Sequence, residues 1–397
     1  MGTAVQFGAG NIGRGFMGQL FWEAKFKTVF VEADEALVGL LNARQSYTLR
    51  LLDAYSVQEV QMRIDRFEAL HISQEAEIGD AIADAELICT AVGVKSLAAV
   101  APLIAAGVRK RCDRGAAGVD VWLCENQLGA AGTLEKQVAG HLDGRYLVWL
   151  KDKVGFVGTA VARMVPSPAG RESEGDPLLV VSDAHHELPY DAAALRSVVP
   201  RISGLQPSAN FTVEMERKLY THNLGHASLA YLGKLKGYLY VHESLQDSSL
   251  NTVFDGALDE TTEALISKYP AYVDAEQHAR IRRDVRVRFG NPMIMDTVKR
   301  VAKDPLRKLG PDERLIGSAK LCLSQGVFPD NIATICGAAL RYDEPDDPEA
   351  VRLQQMIAER GIDHTTAAVT GLDSGSEFLR TIVSRYHELA EAYSSRS

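Results

Sequence analysis

A lysine, an asparagine and a histidine lie close together in residues 218–226, which read K-L-Y-T-H-N-L-G-H. If this segment is an α-helix, Lys218, Asn223 and His226 fall at about 0°, 140° and 80° around its axis. They then share one side of the helix, with the first and last roughly 12 Å apart along the axis. Such a row can make several polar contacts with an extended sugar chain. The alternative is a half-exposed helix with ordinary polar residues.

The N-terminus carries a glycine pattern typical of dinucleotide binding. An apolar run at residues 4–7 leads into G-x-G-x-x-G, and an apolar helical repeat follows. Gly8 would permit the tight turn, Gly10 would let the backbone approach a pyrophosphate, and Gly13 would let the helix pack closely on the sheet. The N–H groups at a helix start also favour phosphate, whereas the alternative is a plain surface turn. The predicted cofactor contacts are Gly8, Ala9, Gly10, Asn11, Ile12 and Gly13.

An acidic residue follows the glycines at the distance expected for a ribose contact. The apolar run at residues 28–31 ends in Glu32, nineteen residues after Gly13. A carboxylate at this strand end can accept hydrogen bonds from the adenosine ribose hydroxyls, and it would repel a 2′-phosphate. The position therefore predicts NAD rather than NADP as the cofactor, with Asp34 as the competing acid.

Two further strand ends supply candidates for the cofactor site. In doubly wound sheets, ligands bind beyond the carboxyl ends of the strands. Val92 ends the apolar run at residues 87–92 and is therefore a predicted cofactor contact. Asn126 follows the run at residues 119–124, where it could reach the nicotinamide or could instead cap the next helix.

The order of strand-like and helix-like segments predicts an α/β fold. Residues 1–190 are predicted to form a Rossmann-type doubly wound sheet domain, and residues 191–397 a mostly α-helical domain that carries the substrate residues. After the first two strands, further strands are predicted at residues 47–52, 86–91, 119–124 and 178–182. Long periodic segments predict helices at residues 250–268, 275–289, 332–341 and 377–393.

Composition argues against several classes of partner. The net charge of −9, from 52 acidic against 43 basic residues, offers no general attraction to nucleic acid or to an anionic membrane. No apolar run reaches the roughly 20 residues that span a bilayer, and the N-terminus has no signal-peptide pattern. The five cysteines are far apart and lack zinc-ligand spacing, so we expect no metal and a reducing, cytoplasmic location.

A basic string stands out in this acidic chain at residues 299–308, which include Arg300, Arg307 and Lys308. Arginine can bind a phosphate through two parallel hydrogen bonds. The string therefore predicts a local anion site for a sugar phosphate, and the alternative is a solvated helix end.

The two ends of the chain together resemble the polyol-specific long-chain dehydrogenases, the mannitol dehydrogenase superfamily. The pattern K-x-x-x-x-N-x-x-H after an N-terminal dinucleotide fingerprint is specific to that superfamily, and the similarity covers nearly the whole chain. The segments that carry it are residues 7–16, 41–47, 218–226, 230–235, 304–309 and 371–373.

The resemblance implies a metal-independent, NAD-dependent dehydrogenase in which Lys218 is the general base. It also implies that Asn223 and Asn126 hold the reacting oxygen and that His226 binds a neighbouring hydroxyl. Geometry alone allows His226 as a rival base, because the ordinary histidine pKa of about 6.5 needs no tuning. A lysine needs burial or a nearby cation to lower its pKa into the working range.

The segments around the motif resemble the branch that acts on mannitol phosphate. This implies interconversion of mannitol 1-phosphate and fructose 6-phosphate, with Arg300 and Lys308 as cationic substrate contacts and Arg307 as a further candidate. One departure is Ala162, which replaces the aspartate of the superfamily's V-D-R pattern and puts polyol specificity in doubt. The alternatives are a free polyol or a hexuronate as substrate, a non-catalytic dinucleotide-binding protein, or a flavoprotein.

Overall fold

The computed structural model describes residues 2–125, 127–166 and 175–393. The chain divides into two compact units, Met1–Glu214 and Met215–Ser397. The strands are β1 (Thr3–Phe7), β2 (Lys27–Glu32), β3 (Tyr47–Asp53), β4 (Gln58–Ile64), β5 (Phe67–His71), β6 (Leu87–Thr90), β7 (Val119–Leu123), β8 (Val154–Gly158), β9 (Val180–Asp183), β10 (Leu188–Asp191) and β11 (Leu205–Ser208).

The α-helices of the first unit are α1 (Gly18–Glu23), α2 (Glu35–Arg44), α3 (Glu75–Asp84), α4 (Leu97–Asp113), α5 (Ala130–Ala139) and α6 (Gly144–Lys153). Helix α7 (Phe211–Arg217) runs across the division between the units. Those of the second unit are α8 (Leu224–Lys236), α9 (Val241–Gln246), α10 (Ser248–Lys268), α11 (Ala275–Phe289), α12 (Val298–Ala302), α13 (Pro305–Lys308), α14 (Ile316–Ser324), α15 (Asp330–Leu340), α16 (Pro348–Arg360), α17 (Ile362–Thr370) and α18 (Glu377–Tyr393).

The central sheet of the first unit is parallel and has the strand order β5-β2-β1-β6-β7-β8. Val5 of β1 lies opposite Val29 of β2 and Ile88 of β6, and all three side chains are buried. Counted along the chain, this is the strand order of a Rossmann domain, so the predicted doubly wound sheet is confirmed. Strands that are buried on both faces are continuous apolar runs, which is why β1, β2, β6 and β7 could be found from sequence.

Two of the predicted strands belong to a separate, smaller sheet. β3 and β9, near the predicted strands at residues 47–52 and 178–182, pair in parallel, and β4 pairs antiparallel with β3. Their expected places in the central sheet are taken by β5 and β8, which the prediction missed. The sequences of β5, F-E-A-L-H, and β8, V-G-F-V-G, lack an uninterrupted apolar run.

The pair β10 and β11 belongs to the first unit. The Tyr190 ring of β10 packs against the buried Trp122 ring of β7, with 4.7 Å between the ring centroids. The compact units therefore part after Glu214, later in the chain than the boundary at residue 190 that was predicted from sequence.

The second unit is helical, as predicted. Helices α11 and α18 have the predicted bounds, and α10 and α15 lie within two residues of theirs. Leu224, Leu229 and Leu232 anchor α8 in the core and are at most 2 % exposed. Among the described residues, no helix combines the length and apolarity needed to span a membrane.

In the described part of the chain, each unit contains one π-helical segment. The first, Gly13–Met17, opens the helix after β1, and Gly18 N–H donates to the Gly13 carbonyl five residues back. The second, Lys218–Asn223, continues α7 into α8, and Leu224 N–H donates to the Leu219 carbonyl. π-Helical turns are rare and occur frequently at functional sites.

Candidate active site

The glycine-rich loop of the first unit has the geometry that the sequence predicted. Gly8 has φ of 88°, in the left-handed region, and a Cβ added there would lie 2.5 Å from the Ala91 carbonyl oxygen. A Cβ on Gly13 would collide with the Gly8 carbonyl oxygen, so this glycine permits the close helix packing. A Cβ on Gly10 would meet no atom within 4 Å. The Gly10 backbone thus borders open space, which fits the approach of a pyrophosphate.

Glu32 supports this loop directly from the end of β2. Its Oε2 accepts a hydrogen bond from Ala9 N–H at 2.8 Å, and its Oε1 accepts one from Ala33 N–H at 2.7 Å. The competing acid, Asp34, is the N-cap of α2 and accepts a hydrogen bond from Leu37 N–H at 3.1 Å. Of the two acids, Glu32 is the one that contacts the glycine-rich loop, and its ribose contact stays a prediction.

Arg14 is a buried cation of the loop that the sequence did not single out. Its Nε donates to the Ala9 carbonyl at 2.6 Å and its Nη1 to the Leu178 carbonyl at 3.0 Å. Tyr47 Oη donates in turn to the Arg14 carbonyl at 2.8 Å. The Asn11 amide donates to the Val165 carbonyl at 3.2 Å. Side-chain donors therefore fix the carbonyls of the loop and of the segments behind it.

Glu125 joins the carboxyl ends of β6 and β7. The carboxylate is 5 % exposed and accepts hydrogen bonds from Val92 N–H and Gly93 N–H, each at 3.0 Å. Burial raises the pKa of Glu125 more than these hydrogen bonds lower it. The residue predicted from sequence was the next one, Asn126, which lies outside the described residues, and not Glu125. Glu125 instead holds the backbone at Val92, a predicted cofactor contact.

Lys218 and Asn223 begin and end the second π-helical segment, and His226 lies in the first turn of α8. The prediction assumed α-helical geometry, in which positions five apart diverge by about 140°. A π-helix closes its hydrogen bonds over five residues, so Lys218 and Asn223 lie more nearly one above the other. Both are partly buried. The wide turn therefore places them and His226 on a narrower face than the sequence predicted.

An acidic partner fixes the ring of His226. His226 Nε2 lies 2.8 Å from Asp296 Oδ2, and the ring stacks on Phe289 with 4.7 Å between centroids. Asp296, 5 % exposed, also accepts hydrogen bonds from Nε and Nη2 of Arg300, each at 2.7 Å. Burial alone would raise the pKa of Asp296, but His226 and Arg300 outweigh it and lower the pKa. The spacing of Asp296 four residues before Arg300 was the sequence signal for this missed residue.

The protonation state of His226 follows from the same contacts. Burial lowers its pKa, with Arg300 and Arg314 adding to this effect and Asp296 opposing it. The ring is therefore neutral near pH 7. Because the Asp296 carboxylate can only accept, the single ring proton is on Nε2, and Nδ1 has a free lone pair. A neutral histidine in this tautomer can accept a hydrogen bond from a substrate hydroxyl at Nδ1.

The three predicted substrate cations differ in what they already bind. Arg300 donates from Nε and Nη2 to Asp296, which leaves its Nη1 for another acceptor. Arg307 is paired with Asp304 at 2.5 Å and with Glu313 at 2.7 Å. Lys308 is 5 % exposed and donates to the Lys303 carbonyl, and burial holds its pKa well below its usual range. These contacts make Arg300 the most available of the three.

Ala162, the departure from the superfamily pattern, precedes an arginine with a structural role. Arg163 is 5 % exposed and donates from Nε to Ser182 Oγ at 2.6 Å and from Nη1 to Gln19 Oε1 at 2.7 Å. The buried Asp183 carboxylate accepts a hydrogen bond from Met164 N–H at 3.2 Å. Arg163 thus ties the chain after β8 to β9. Among the described residues, no group of three or more His, Cys, Asp or Glu side chains could hold a metal ion.

Two family models match the chain in succession. That of the mannitol dehydrogenase Rossmann domain matches residues 2–204, and that of the mannitol dehydrogenase C-terminal domain matches residues 213–390. The first match contains the glycine-rich loop, and the second contains the row of Lys218, Asn223 and His226.

Solved structures show the same fold. A D-sorbitol dehydrogenase in substrate-free form is 16 % identical, with a TM-score of 0.79 over 98 % of this chain and 93 % of its own. The Pseudomonas fluorescens mannitol 2-dehydrogenase in ternary complex with NAD and D-mannitol is 18 % identical, with a TM-score of 0.80 over 99 % of this chain and 93 % of its own. A D-mandelate dehydrogenase with NADH and anilino(oxo)acetate is more distant, 11 % identical with a TM-score of 0.52 over 89 % and 99 %. At these identities the likeness is one of fold.

Proposed function

The chain belongs to the mannitol dehydrogenase family, and we propose that within this family it interconverts mannitol 1-phosphate and fructose 6-phosphate, as a mannitol-1-phosphate 5-dehydrogenase does. The family match identifies the first unit as an NAD-binding Rossmann domain and NAD as the cofactor. The observation that carries the proposal is the row of Lys218, Asn223 and His226 on one helix face. Arg300 lies next to this row, and its Nη1 is available to another acceptor.

Oxidation of a secondary alcohol requires a base, donors for the developing oxyanion and a hydride acceptor. Bound NAD supplies the hydride acceptor. Lys218 takes the hydroxyl proton, and the Asn223 amide donates to the oxygen as it becomes negative, without adding a charge of its own. His226, held by Asp296 with its lone pair on Nδ1, accepts a hydrogen bond from the neighbouring hydroxyl and so orients the polyol chain.

An NADH-oxidation assay tests this proposal. We expect kcat/KM to be highest with fructose 6-phosphate when it is compared with fructose and fructuronate at pH 7. A higher kcat/KM with fructose would identify a free-polyol dehydrogenase, and one with fructuronate a hexuronate enzyme. Absence of turnover with all three, and of NAD reduction with any polyol, would support a non-catalytic dinucleotide-binding protein.

A free polyol is the second candidate substrate, and one observation favours it. Arg307 is already paired with two carboxylates, and the Lys308 amine is buried against a backbone carbonyl. If both keep these partners, a phosphate gains nothing from two of the three cations predicted to bind it. The phosphorylated substrate then requires a further cation near His226.

A further inference from the structure

Arg314 is a basic residue of the second unit that the sequence did not identify as a substrate contact. It lies in the turn before α14, and the first turn of α14 packs against the second π-helical segment. A Cβ on Gly317 would lie 2.9 Å from the hydroxyl of Tyr220, which belongs to that segment. Ser318 Oγ donates to the Arg314 carbonyl at 2.7 Å and fixes the turn. The backbone of Arg314 is therefore held close to the helical segment that contains Lys218 and Asn223.

The guanidinium group of Arg314 has donors that the described part of the protein does not use. Its side chain is only 12 % exposed, and its Nε donates to Glu313 Oε2 at 3.1 Å. Neither Nη1 nor Nη2 has a hydrogen-bond acceptor among the described residues, and neither atom is sealed from solvent. The four N–H groups on these two nitrogens are therefore free to donate to an acceptor that a ligand brings from the solvent side.

Arg307, which shares the Glu313 carboxylate with Arg314, has more carboxylate partners than Arg314. Glu313 Oε1 accepts from Arg307 Nη1 at 2.7 Å, and Asp304 accepts from Arg307 Nε. Two carboxylates thus offset the charge of Arg307, whereas Arg314 shares a single carboxylate with it. The positive field of Arg314 also acts on its surroundings, because it contributes to the lowered pKa of both His226 and Lys308.

We propose that Arg314 binds the anionic group of the substrate through Nη1 and Nη2, with Nη1 of Arg300 as a second donor. This inference rests on the proposed function in placing the polyol chain at His226. A forked guanidinium matches the oxygens of a phosphate or a carboxylate, so the site takes a polyol or ketose that carries either group at one end. An uncharged sugar gains no comparable interaction there.

The test compares Arg314→Gln and Arg314→Lys with the wild-type enzyme on fructose 6-phosphate, fructuronate and fructose. We expect Arg314→Gln to raise KM for the preferred anionic ketose about 10- to 100-fold, the loss expected when hydrogen bonds to a charged group are removed. Its kcat/KM for fructose should change much less. Arg314→Lys keeps the charge but lacks the forked guanidinium group. Its KM for the anionic ketose should lie between those of the wild type and Arg314→Gln. The matched control is Arg283→Gln, an exposed arginine on α11.

The outcomes separate this inference from the proposed function. If the wild type prefers fructose 6-phosphate but Arg314→Gln impairs it and fructose equally, Arg314 is structural and the inference is wrong. If the wild type prefers fructuronate and Arg314→Gln selectively raises KM for it, the anion site stands and the phosphate substrate is wrong. If the wild type prefers fructose and Arg314→Gln changes none of the three, both are wrong. If the inference holds, NADH binding and thermal unfolding of each variant match the wild type, whereas a lowered unfolding temperature of Arg314→Gln would indicate a structural role.

Discussion

The two π-helical segments use the same wide turn for opposite purposes. In Gly13–Met17 every residue is buried, and two of the five are glycines. In Lys218–Asn223 the four central residues are buried, whereas the first and last, Lys218 and Asn223, are partly exposed and polar. In the proposed function, the first segment serves the cofactor through the backbone that precedes it, and the second serves the substrate through the side chains at its ends.

This difference predicts how each segment responds to substitution. A backbone site depends on the absence of side chains, so adding a methyl group is the disruptive change. A side-chain site depends on residue identity, so removing a functional group is the disruptive change. The predictions below test each half of this comparison.

The strongest test of the side-chain half is Lys218→Ala. Because general-base loss typically costs about 10²–10⁴-fold, we expect kcat for polyol oxidation to fall by that factor. NADH binding, measured by fluorescence titration, should be unchanged. The pH profile of polyol oxidation should show one group that must be deprotonated, and the limb due to that group should be absent in Lys218→Ala. His226→Ala should change mainly KM. If the limb persists in Lys218→Ala and disappears in His226→Ala, the histidine is the base.

The packing behind the second segment can be tested by pH. His278 is 1 % exposed, its Nε2 lies 3.5 Å from Thr221 Oγ1, and burial, with the charges of Arg217 and Arg282, lowers its pKa to about 4. The unfolded chain takes up a proton near pH 6.5 and the folded chain only near pH 4. Acidification across this window therefore favours unfolding, by about 3 kcal/mol at pH 4 for this group.

We expect the free energy of unfolding of His278→Asn to fall less between pH 7 and pH 4 than that of the wild type. Denaturant titrations at several pH values measure this. His364→Asn, an exposed histidine on α17, should keep the wild-type slope. Parallel profiles for His278→Asn and the wild type would show that His278 does not report on this packing.

Paired glycine substitutions test the backbone half. A methyl group at Gly13 meets the Gly8 carbonyl oxygen, so Gly13→Ala should lower the free energy of unfolding by about 1–3 kcal/mol. A methyl group at Gly10 meets no protein atom within 4 Å, so Gly10→Ala should fold normally. It should nevertheless bind NADH about tenfold more weakly if its backbone faces the pyrophosphate. Normal NADH affinity in Gly10→Ala would exclude that face as the binding surface.

The smallest expected effect concerns cofactor choice. The Glu32 carboxylate should repel the 2′-phosphate of NADP, so steady-state kinetics of the wild type should give a higher kcat/KM with NAD. Glu32→Gln removes the charge, and we expect the NAD preference to shrink about fivefold, which corresponds to ~1 kcal/mol of repulsion. Asp34→Asn should leave the preference unchanged. An equal or higher wild-type kcat/KM with NADP would rule out this role for Glu32.

The sequence predicted best where one residue type has one physical use. Gly8 needs a positive φ and Gly13 a missing Cβ, so glycine itself indicates the loop. The amphipathic repeats of α11 and α18 likewise gave their bounds. The wide turn at Lys218–Asn223 could not be predicted, because K-L-Y-T-H-N has no composition that distinguishes a π-helix from an α-helix.

Residues that act through distant partners were also missed. Glu125 follows β7 and accepts a hydrogen bond from Val92 at the end of the neighbouring strand β6. Arg314 is noticeable only because its terminal nitrogens have no acceptor among the described residues. Neither property is visible in a local sequence pattern. Asn126 and Glu125 are adjacent, yet the strand-end position and the family resemblance were both applied only to the asparagine.

The turn at Lys218–Asn223 has a consequence for how the site is aligned. A π-helical turn contains one residue more than the α-helical turn it replaces, so the residues before it are shifted in phase by about 100° relative to the repeat of α8. Winding the same residues as a regular α-helix, without removing one, would preserve the apolar repeat of α8. It would also rotate Lys218 by about 100° away from Asn223 and His226. The extra residue in this turn, and not only the identity of its residues, therefore sets the relative orientation of the three side chains that we propose for catalysis.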